Sequence, residues 1–338
     1  MSQTYFQEYA KKLAGKRVCI ACREEILREH LDKLIPDIRF LTRQGIQTTL
    51  FHNLPDGFTN QDFLETLKTA LAQTNIVRIT AEDDFYAAVL ERAEIGFKLI
   101  FIERDCLIDQ RNQKINTLTT EDLRRRVDEY NGNIANINFK EAMHTICTTI
   151  EQGRCERLHI LPAEKQSIRR ELFTVEGCGT MIANNFHETF RQAASEEDLA
   201  IINRILSMYK KAGFLKPRSK DYIRRHRRHF FVTEIDAIIV GCVERKIVDE
   251  ITVELGALAI ATRFRNQRVG VYTVNAFITT MAEQGYSRFI SLTNNPKLQN
   301  LFKKLGFSQQ SPTIYQKRQK QSPNTTMFFK NLRGNDSP

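Results

Sequence analysis

Short apolar runs alternate with amphipathic stretches through the first half of the chain, and no other feature restricts the fold as much. Runs such as 17–22 and 98–102 are mostly consecutive apolar residues bounded by charges, the pattern of a strand buried on both faces. Between such runs lie stretches of helical period. In 26–44 the residues Ile26, Leu27, Leu31, Leu34, Ile35, Ile38 and Leu41 share one stripe, and Gly45 follows just past the end. The spacing predicts strands at 17–22, 48–51, 76–79, 98–102 and 157–161, and helices at 4–14, 26–44, 60–72, 83–95, 119–129 and 139–152. Strand alternating with helix means α/β layers on a mainly parallel sheet.

After a passage at 183–190 the pattern changes. Strands at 229–233, 237–245 and 251–260 follow one another directly, after a helix at 195–212. Then come a helix at 269–284, a strand at 287–292, a helix at 296–304 and a strand at 326–330, so the second sheet should be mixed. A length of 338 residues suits two domains, here 1–184 and 185–332, with a frayed tail.

Charge divides the chain at the same place. Residues 1–182 carry 25 basic and 27 acidic side chains, whereas 183–338 carry 25 and 13, so the whole excess of +10 sits in the second half. A polyanionic ligand is therefore expected there. A hydrophobic share of 41% with 27% charged residues excludes a disordered or fibrous chain. No apolar run reaches the ~18 residues of a membrane span, and the start MSQTYFQEYAKK lacks the order of a signal peptide. The seven scattered cysteines form no disulfide framework, so a cytoplasmic location is expected. Cys19 and Cys22 make a lone C-x-x-C in a strand-like setting, which is not read as a metal or redox site.

The stretch richest in chemistry runs from Glu254 to Tyr272, ELGALAIATRFRNQRVGVY. A strand enters an Arg-rich turn, and a helix begins near Val269. Such a turn aims backbone N–H groups and the positive end of a helix dipole at one point, an anion site suited to a pyrophosphate. Gly270 allows close approach of the backbone. Taken alone, the same residues also describe a solvated helix cap. The stretch resembles the coenzyme A motif of the GNAT acetyltransferases, (Q/R)-x-x-G-x-(G/A), with Arg265, Arg268 and Gly270 at its fixed positions. Arg268 stands where that family has Gly. The resemblance implies a GNAT-fold mixed sheet and acetyl-CoA as co-substrate. It assigns CoA contacts to Arg265, Asn266, Gln267, Arg268, Val269, Gly270 and Val271, and thioester-polarising N–H groups to Leu258, Ala259 and Ile260.

A second resemblance covers the first half. Residues 167–182, SIRRELFTVEGCGTMI, are similar to the end of the amino-acid kinase domain of N-acetylglutamate kinases and synthases. A shortened amino-acid kinase-like α/β domain ahead of a GNAT domain is the layout of the N-acetylglutamate synthases. GFLKPR at 213–218 resembles their G-x-L-x-P-R segment, and Tyr315, Lys320 and Ser322 match their Y-x₄-R-x-S spacing with Lys for Arg. The family's roles then fall on Glu254 as general base, on Thr293 as the hydroxyl protonating the departing thiolate, and on Arg218, Lys320 and Ser322 as contacts to L-glutamate or a related amino acid. Lys320 cannot copy a bidentate guanidinium, which leaves another acceptor open. Each of these residues also has a plain reading, as a strand-end charge, a strand residue or a surface cation.

The resemblance further implies glycine-rich phosphate turns after the first two strands. Here those strands are followed by Arg23-Glu24-Glu25 and His52-Asn53-Leu54, so the domain is read as kinase-inactive and regulatory. The family's L-arginine site falls on Tyr9, Glu171, Gly177, Gly179 and Thr180, with Glu171 pairing the ligand's cationic end. The two glycines equally fit a turn needing positive φ. The N-terminal helix resembles one that joins dimers into rings, which implies a homo-oligomer, a hexamer. Two other readings stand beside the enzyme: an idle arginine or acyl-CoA sensor, and nucleic-acid binding through the basic run RRHRRH at 224–229. That run lacks interleaved aromatics, so neither a nucleic-acid nor a membrane partner is expected.

Overall fold

Strand β1 (Arg17–Cys22) is an interior strand of the first of two compact units, Met1–Phe186 and His187–Pro338. Its Val18, Ile20 and Cys22 are fully buried, because helices cover both faces of the sheet. The structure is a computed structural model describing residues 10, 13–80, 84–92, 98–128, 134–135, 140–174, 177–211, 213–216, 218–235, 238–261, 264, 269–310 and 325–332. Most of the expected helix 4–14 lies outside these residues.

Around β1 the first sheet takes in β2 (Gln47–His52), β3 (Asn75–Arg78), β4 (Lys98–Glu103), β5 (Thr117–Thr119), β6 (Arg157–Pro162) and β7 (Thr180–Ala183), in the order β3-β2-β1-β4-β6-β7-β5. Every neighbouring pair is parallel except β6 with β7. Parallel neighbours need long crossovers, which the helices supply. These are α1 (Glu24–Arg43), α2 (Gln61–Ala70), α3 (Phe85–Arg92), α4 (Thr120–Asp128), α5 (Lys140–Glu151) and α6 (Ser167–Phe173). One core joins Cys19, Ala21, Leu99, Phe101, Leu158 and Ile160 of the sheet to α3, α4 and α5. The buried Asp37 of α1 accepts from the Ile168 N–H at 3.0 Å and from Arg169 Nε at 2.6 Å, which pins α6 to α1. Cys19 and Cys22 are three apart on a strand and so point to opposite faces, which rules out a shared ligand. Burial pushes the Cys19 thiol up to about 11.

The ELFTVEGCGT run builds the turn into β7. Both oxygens of Glu171 are engaged inside the protein. Oε1 lies 2.6 Å from His159 Nδ1, and Oε2 accepts from the N–H groups of Cys178 and Gly179 at 2.8 and 2.9 Å. Thr174 Oγ1 accepts from the Gly177 N–H at 3.1 Å, and Gly177 has φ +59°. Thr180 Oγ1 donates to the Ile115 carbonyl at 2.6 Å and accepts from the Leu107 N–H at 3.0 Å. A Cβ on Gly179 would collide with Leu161 Cδ2 and the Ile160 carbonyl oxygen.

The second unit carries β8 (Thr189–Gln192), β9 (Phe230–Ile235), β10 (Ile238–Ile247), β11 (Thr252–Ile260), β12 (Arg288–Thr293), β13 (Ser308–Gln310) and β14 (Thr326–Asn331), in the order β13-β14-β12-β11-β10-β9-β8. It is antiparallel except between β11 and β12, so the sheet is mixed as expected. Its helices are α7 (Glu196–Lys211), α8 (Lys220–Arg225), α9 (Val269–Glu283) and α10 (Pro296–Lys304). Among the described residues no helix is long and apolar enough to cross a membrane. The start of α7 is a reciprocal cap: Ser195 Oγ accepts from the Asp198 N–H at 3.1 Å, while Asp198 Oδ2 accepts from the N–H groups of Ala194 and Ser195. Arg191 grips both oxygens of Asp198 at 2.7 and 2.9 Å and reaches Glu234 at 2.6 Å, tying β8 to α7 and β9.

Two stability predictions follow from these contacts. Burial alone would raise the Asp198 carboxyl, but Arg191 and the two N–H groups outweigh it and hold it down at about 2, against 3.8 for a free side chain. Its contribution is therefore complete above pH 4 and lost as the pH falls toward 2. Thermal unfolding across that window should show Asp198→Asn losing less midpoint than wild type, from a lower value at pH 7. Gly179→Ala should destabilise by about 2–4 kcal/mol, since backbone cannot yield as a flexible side chain does. A thermal midpoint within a degree of wild type would show that β6 and β7 can part at no cost.

Candidate functional site

Strands β11 and β12 pair only through Thr252, Val253 and Glu254 against Arg288, Phe289 and Ile290. Beyond Glu254 they separate, although β11 runs on to Ile260 and β12 to Thr293. The other side of β11 is irregular a little further along. There Val243 of β10 stands opposite both Ala257 and Leu258, a bulge in which Ala257 takes φ +48°. A non-glycine residue in this region carries strain of about 1 kcal/mol or more, and such strain gathers at functional sites. Just past the fork, Ser291 Oγ donates to the Leu255 carbonyl at 3.0 Å.

Glu254 is therefore the last paired residue before the fork, and its side chain is buried. Directly opposite it, Lys246 Nζ lies 3.2 Å from Glu254 Oε1 and 3.9 Å from Glu244 Oε2. A Cβ on Gly256 would stand 3.2–3.3 Å from the end of Lys246, so the glycine leaves room for the ammonium group. Glu244 in turn holds Arg218. Nε and Nη2 of Arg218 donate to Glu244 Oε2 at 2.8 and 2.6 Å, and Tyr222 Oη donates to Oε1 at 2.6 Å. A row of alternating charge thus runs from Arg218 through Glu244 and Lys246 to Glu254. Arg218 was expected as a substrate contact; in the structure its guanidinium is engaged by an internal carboxylate. Glu244, Lys246 and Tyr222 are absent from the sequence reading.

Thr293 ends β12, buried, and its Oγ1 accepts from the Asn295 N–H at 3.1 Å. Of the three N–H groups expected to polarise a carbonyl, that of Ile260 donates to Tyr209 Oη at 3.1 Å, and the same hydroxyl donates to the Ile260 carbonyl at 2.8 Å. Tyr209 thus closes the free edge of β11 at its last residue, which corrects the expectation for Ile260. Leu258 and Ala259 lie between that closure and the fork. Helix α9 begins at Val269, as predicted, with Gly270 and Val271 in its first turn. A Cβ on Gly270 would meet Leu301 Cδ2 at an ordinary 3.5 Å, so packing does not require glycine here. Arg265, Asn266, Gln267, Arg268, Lys320, Ser322 and Tyr9 lie outside the described residues.

In the first unit the carboxyl ends of β1 and β4 flank the point where the strand order reverses, the usual ligand crevice of an open α/β sheet. Its own side chains engage one another there. Arg23 Nη2 lies 3.0 Å from Glu103 Oε2, Tyr86 Oη donates to Glu103 Oε1, and the Arg23 guanidinium lies 5.6 Å from the centre of the Tyr86 ring. The first N–H of α1, from Glu24, donates to Asn53 Oδ1 at 2.6 Å, and the first turn carries Glu24 and Glu25. His52 Nδ1 accepts from the Leu54 N–H, and burial holds the imidazole down at about 4, so it is neutral near pH 7. Glu171, expected to pair a ligand's cationic end, has a buried carboxylate that accepts from two N–H groups of the 177–179 turn. The basic run 224–229 covers the end of α8 and a short 3-10 turn. His226 stacks on Tyr222 with ring centres 4.1 Å apart, and Arg224 pairs with Glu196. Among the described residues no group of three acidic, histidine or cysteine side chains is placed to hold a metal.

Residues 199–307 match the Acetyltransferase (GNAT) family. The chain is 26% identical over 211 residues to an amino-acid acetyltransferase of Pseudomonas fluorescens, covering 62% of this chain and 47% of that protein. It is 30% identical over 146 residues to an amino-acid acetyltransferase of Neisseria meningitidis, covering 43% and 33%. The chain thus spans about half the length, or less, of the curated relatives it matches. Among solved structures it is similar to an N-acetylglutamate synthase of Neisseria gonorrhoeae complexed with coenzyme A and L-arginine, with a TM-score of 0.55 and 18% identity over 98% of both chains. The chain therefore shares the two-part α/β fold of that structure, and its second unit carries the stretch that matches the GNAT family.

Proposed function

We propose that the chain transfers an acetyl group from acetyl-CoA to the α-amine of an amino acid, with L-glutamate as the acceptor. The observation that carries this reading is the buried carboxylate of Glu254, the last paired residue before β11 and β12 part, within a GNAT domain. An amino group is cationic at neutral pH and cannot attack a carbonyl as such. Glu254 takes its proton, and the Lys246 contact fixes where that carboxylate sits.

The residues past the fork fit acetyl-CoA. On this reading the N–H of Leu258, two residues before that of Ile260, faces the edge of β11 that β12 leaves, while that of Ala259 turns toward β10, and the first turn of α9 offers donors and dipole to a pyrophosphate. Arg265, Asn266, Gln267 and Arg268 precede that turn in sequence. Acetyl-CoA brings the activated thioester; N–H groups directed at its carbonyl stabilise the charge that develops there. Thr293 accepts a backbone N–H through its oxygen lone pair, which leaves its own proton for a departing thiolate. Lys320 and Ser322 are proposed to complete the acceptor site. A neutral amino acid as acceptor is a second reading, favoured by the engagement of Arg218 with Glu244.

The first unit is proposed to be regulatory and without kinase activity, since the crevice at β1 and β4 is occupied by its own side chains and α1 presents acidic residues where a phosphate needs donors. L-Arginine acting through this unit, and assembly into a homo-oligomer, belong to the same reading.

Release of thiol from acetyl-CoA, screened against the twenty amino acids, tests the activity. Glu254→Gln should lower turnover by ~10²-fold or more while acetyl-CoA binding persists. An unaltered rate removes Glu254 from the mechanism, and no thiol release with any acceptor leaves a binding protein. Millimolar L-arginine should lower the initial rate and raise the thermal midpoint. If neither moves, the first unit has no arginine site.

A further inference from the structure

We propose that Lys246 is a positioning residue that holds the Glu254 carboxylate ionised inside the protein and so sets the lower limit of the pH range in which the second unit turns over. The proposal rests on reading Glu254 as the base of an acetyl transfer, and it adds the group that keeps this base ready. Lys246 stands directly opposite Glu254 in the antiparallel pair of β10 and β11, so the two side chains leave the sheet on the same face. Its Nζ donates to Glu254 Oε1 at 3.2 Å. The Glu254 side chain is 4% exposed and that of Lys246 29%, so the carboxylate is out of water while the ammonium group keeps part of its hydration. Room for this reach comes from Gly256, whose Cβ would stand 3.2 Å from Lys246 Cε and 3.3 Å from Nζ.

A carboxyl group taken out of water favours its neutral form, and a neutral acid cannot accept a proton from an amine. A cation at 3.2 Å opposes that preference. Glu244, which shares this face of β10, has the wrong sign to help, and its Oε2 lies 3.9 Å from Lys246 Nζ. Arg218 and Tyr222 take up Glu244, with two bonds to Oε2 and one to Oε1, so its charge is matched by other groups and the lysine is available to the base. Arg245, between the two, points to the other face and donates to Gln284 Oε1. On the β12 side the residue level with Glu254 is the apolar Ile290. The buried residues of α9, which packs on β11, carry no charge, and the buried titratable groups of α7, Asp198 and Tyr209, are engaged by Arg191 and by Ile260.

The test is the pH profile of kcat/KM for the acceptor, measured with the full chain at saturating acetyl-CoA. In Lys246→Met the acid-side limb should move up by ~1 pH unit or more, so that the loss against wild type is about tenfold below the limb and small on the plateau. Lys246→Arg, which keeps the charge, should return the limb to its wild-type place. A limb that stays where it was in Lys246→Met, or a loss equal at every pH, overturns the proposal. A second readout needs no turnover: the thermal midpoints of wild type and Lys246→Met between about pH 5 and pH 8. Without its cation the buried carboxyl binds a proton that the unfolded chain does not, so the variant gains stability as the pH falls, and the gap between the two midpoints should narrow from pH 8 to pH 5. Adding Glu254→Gln to both proteins should remove that dependence. If no amino acid releases thiol, the activity reading fails by itself. The midpoints then decide for Lys246 alone, and a gap that is constant with pH overturns its role.

Discussion

The second unit depends on the parting of β11 from β12 after Glu254. A continuous sheet would spend every N–H of β11 on a neighbour and would leave nothing for a ligand to bind. The extra residue at Ala257 and Leu258 turns the strand at the point where pairing with β12 ends, and the positive φ of Ala257 is the local cost. Tyr209 then ties off the last N–H and carbonyl of the strand, so the open edge is limited to a short segment. A buried carboxylate stands at one end of that segment and a helix N-terminus follows the other, and these are the groups to which the proposed function gives the roles of proton acceptor and anion site.

The first unit begins from a similar opportunity and uses it differently. An open parallel sheet creates a crevice where its strand order reverses, and ligand binding there needs donors that nothing else has claimed. Arg23, Glu103 and Tyr86 claim one another instead, and Asn53 takes the Glu24 N–H. Burial pushes the Glu103 carboxyl up, while the Tyr86 hydroxyl and Arg23 pull it down, as in a self-contained buried pair. The net charge of the two halves records the same difference, since only the second carries the excess of basic residues.

Long elements were legible in the sequence because period and burial agree over many residues, as in α1, α9 and the two long strands β10 and β11. The short strands β5, β7, β8 and β13 and the helix α8 were not. Three or four residues carry no measurable period, and their pairing is decided by what lies beside them in space. Glu254 was singled out through its motif, and the structure shows it buried at the end of the pairing with β12. Its partners were not singled out, because the register that sets Lys246 opposite Glu254 and Glu244 opposite Gly256 depends on a bulge, and one residue of slip would turn both side chains to the other face.

The ELFTVEGCGT run shows that residues singled out by a motif also carry tasks within the fold. It pointed to a ligand site, and its described members Glu171, Thr174 and Thr180 have tasks within the fold: Glu171 gathers two N–H groups, Thr174 a third, and Thr180 bonds Leu107 and Ile115 of the connection from β4 to β5. Gly179 is glycine because β6 passes too close for any side chain. A turn secured this firmly does not offer its carboxylate to a ligand without unmaking itself, since three buried partners would lose their bonds together. An arginine site that used the Glu171 carboxylate would have to share it with this turn, whereas one that used the 177–180 backbone would find it already held in place.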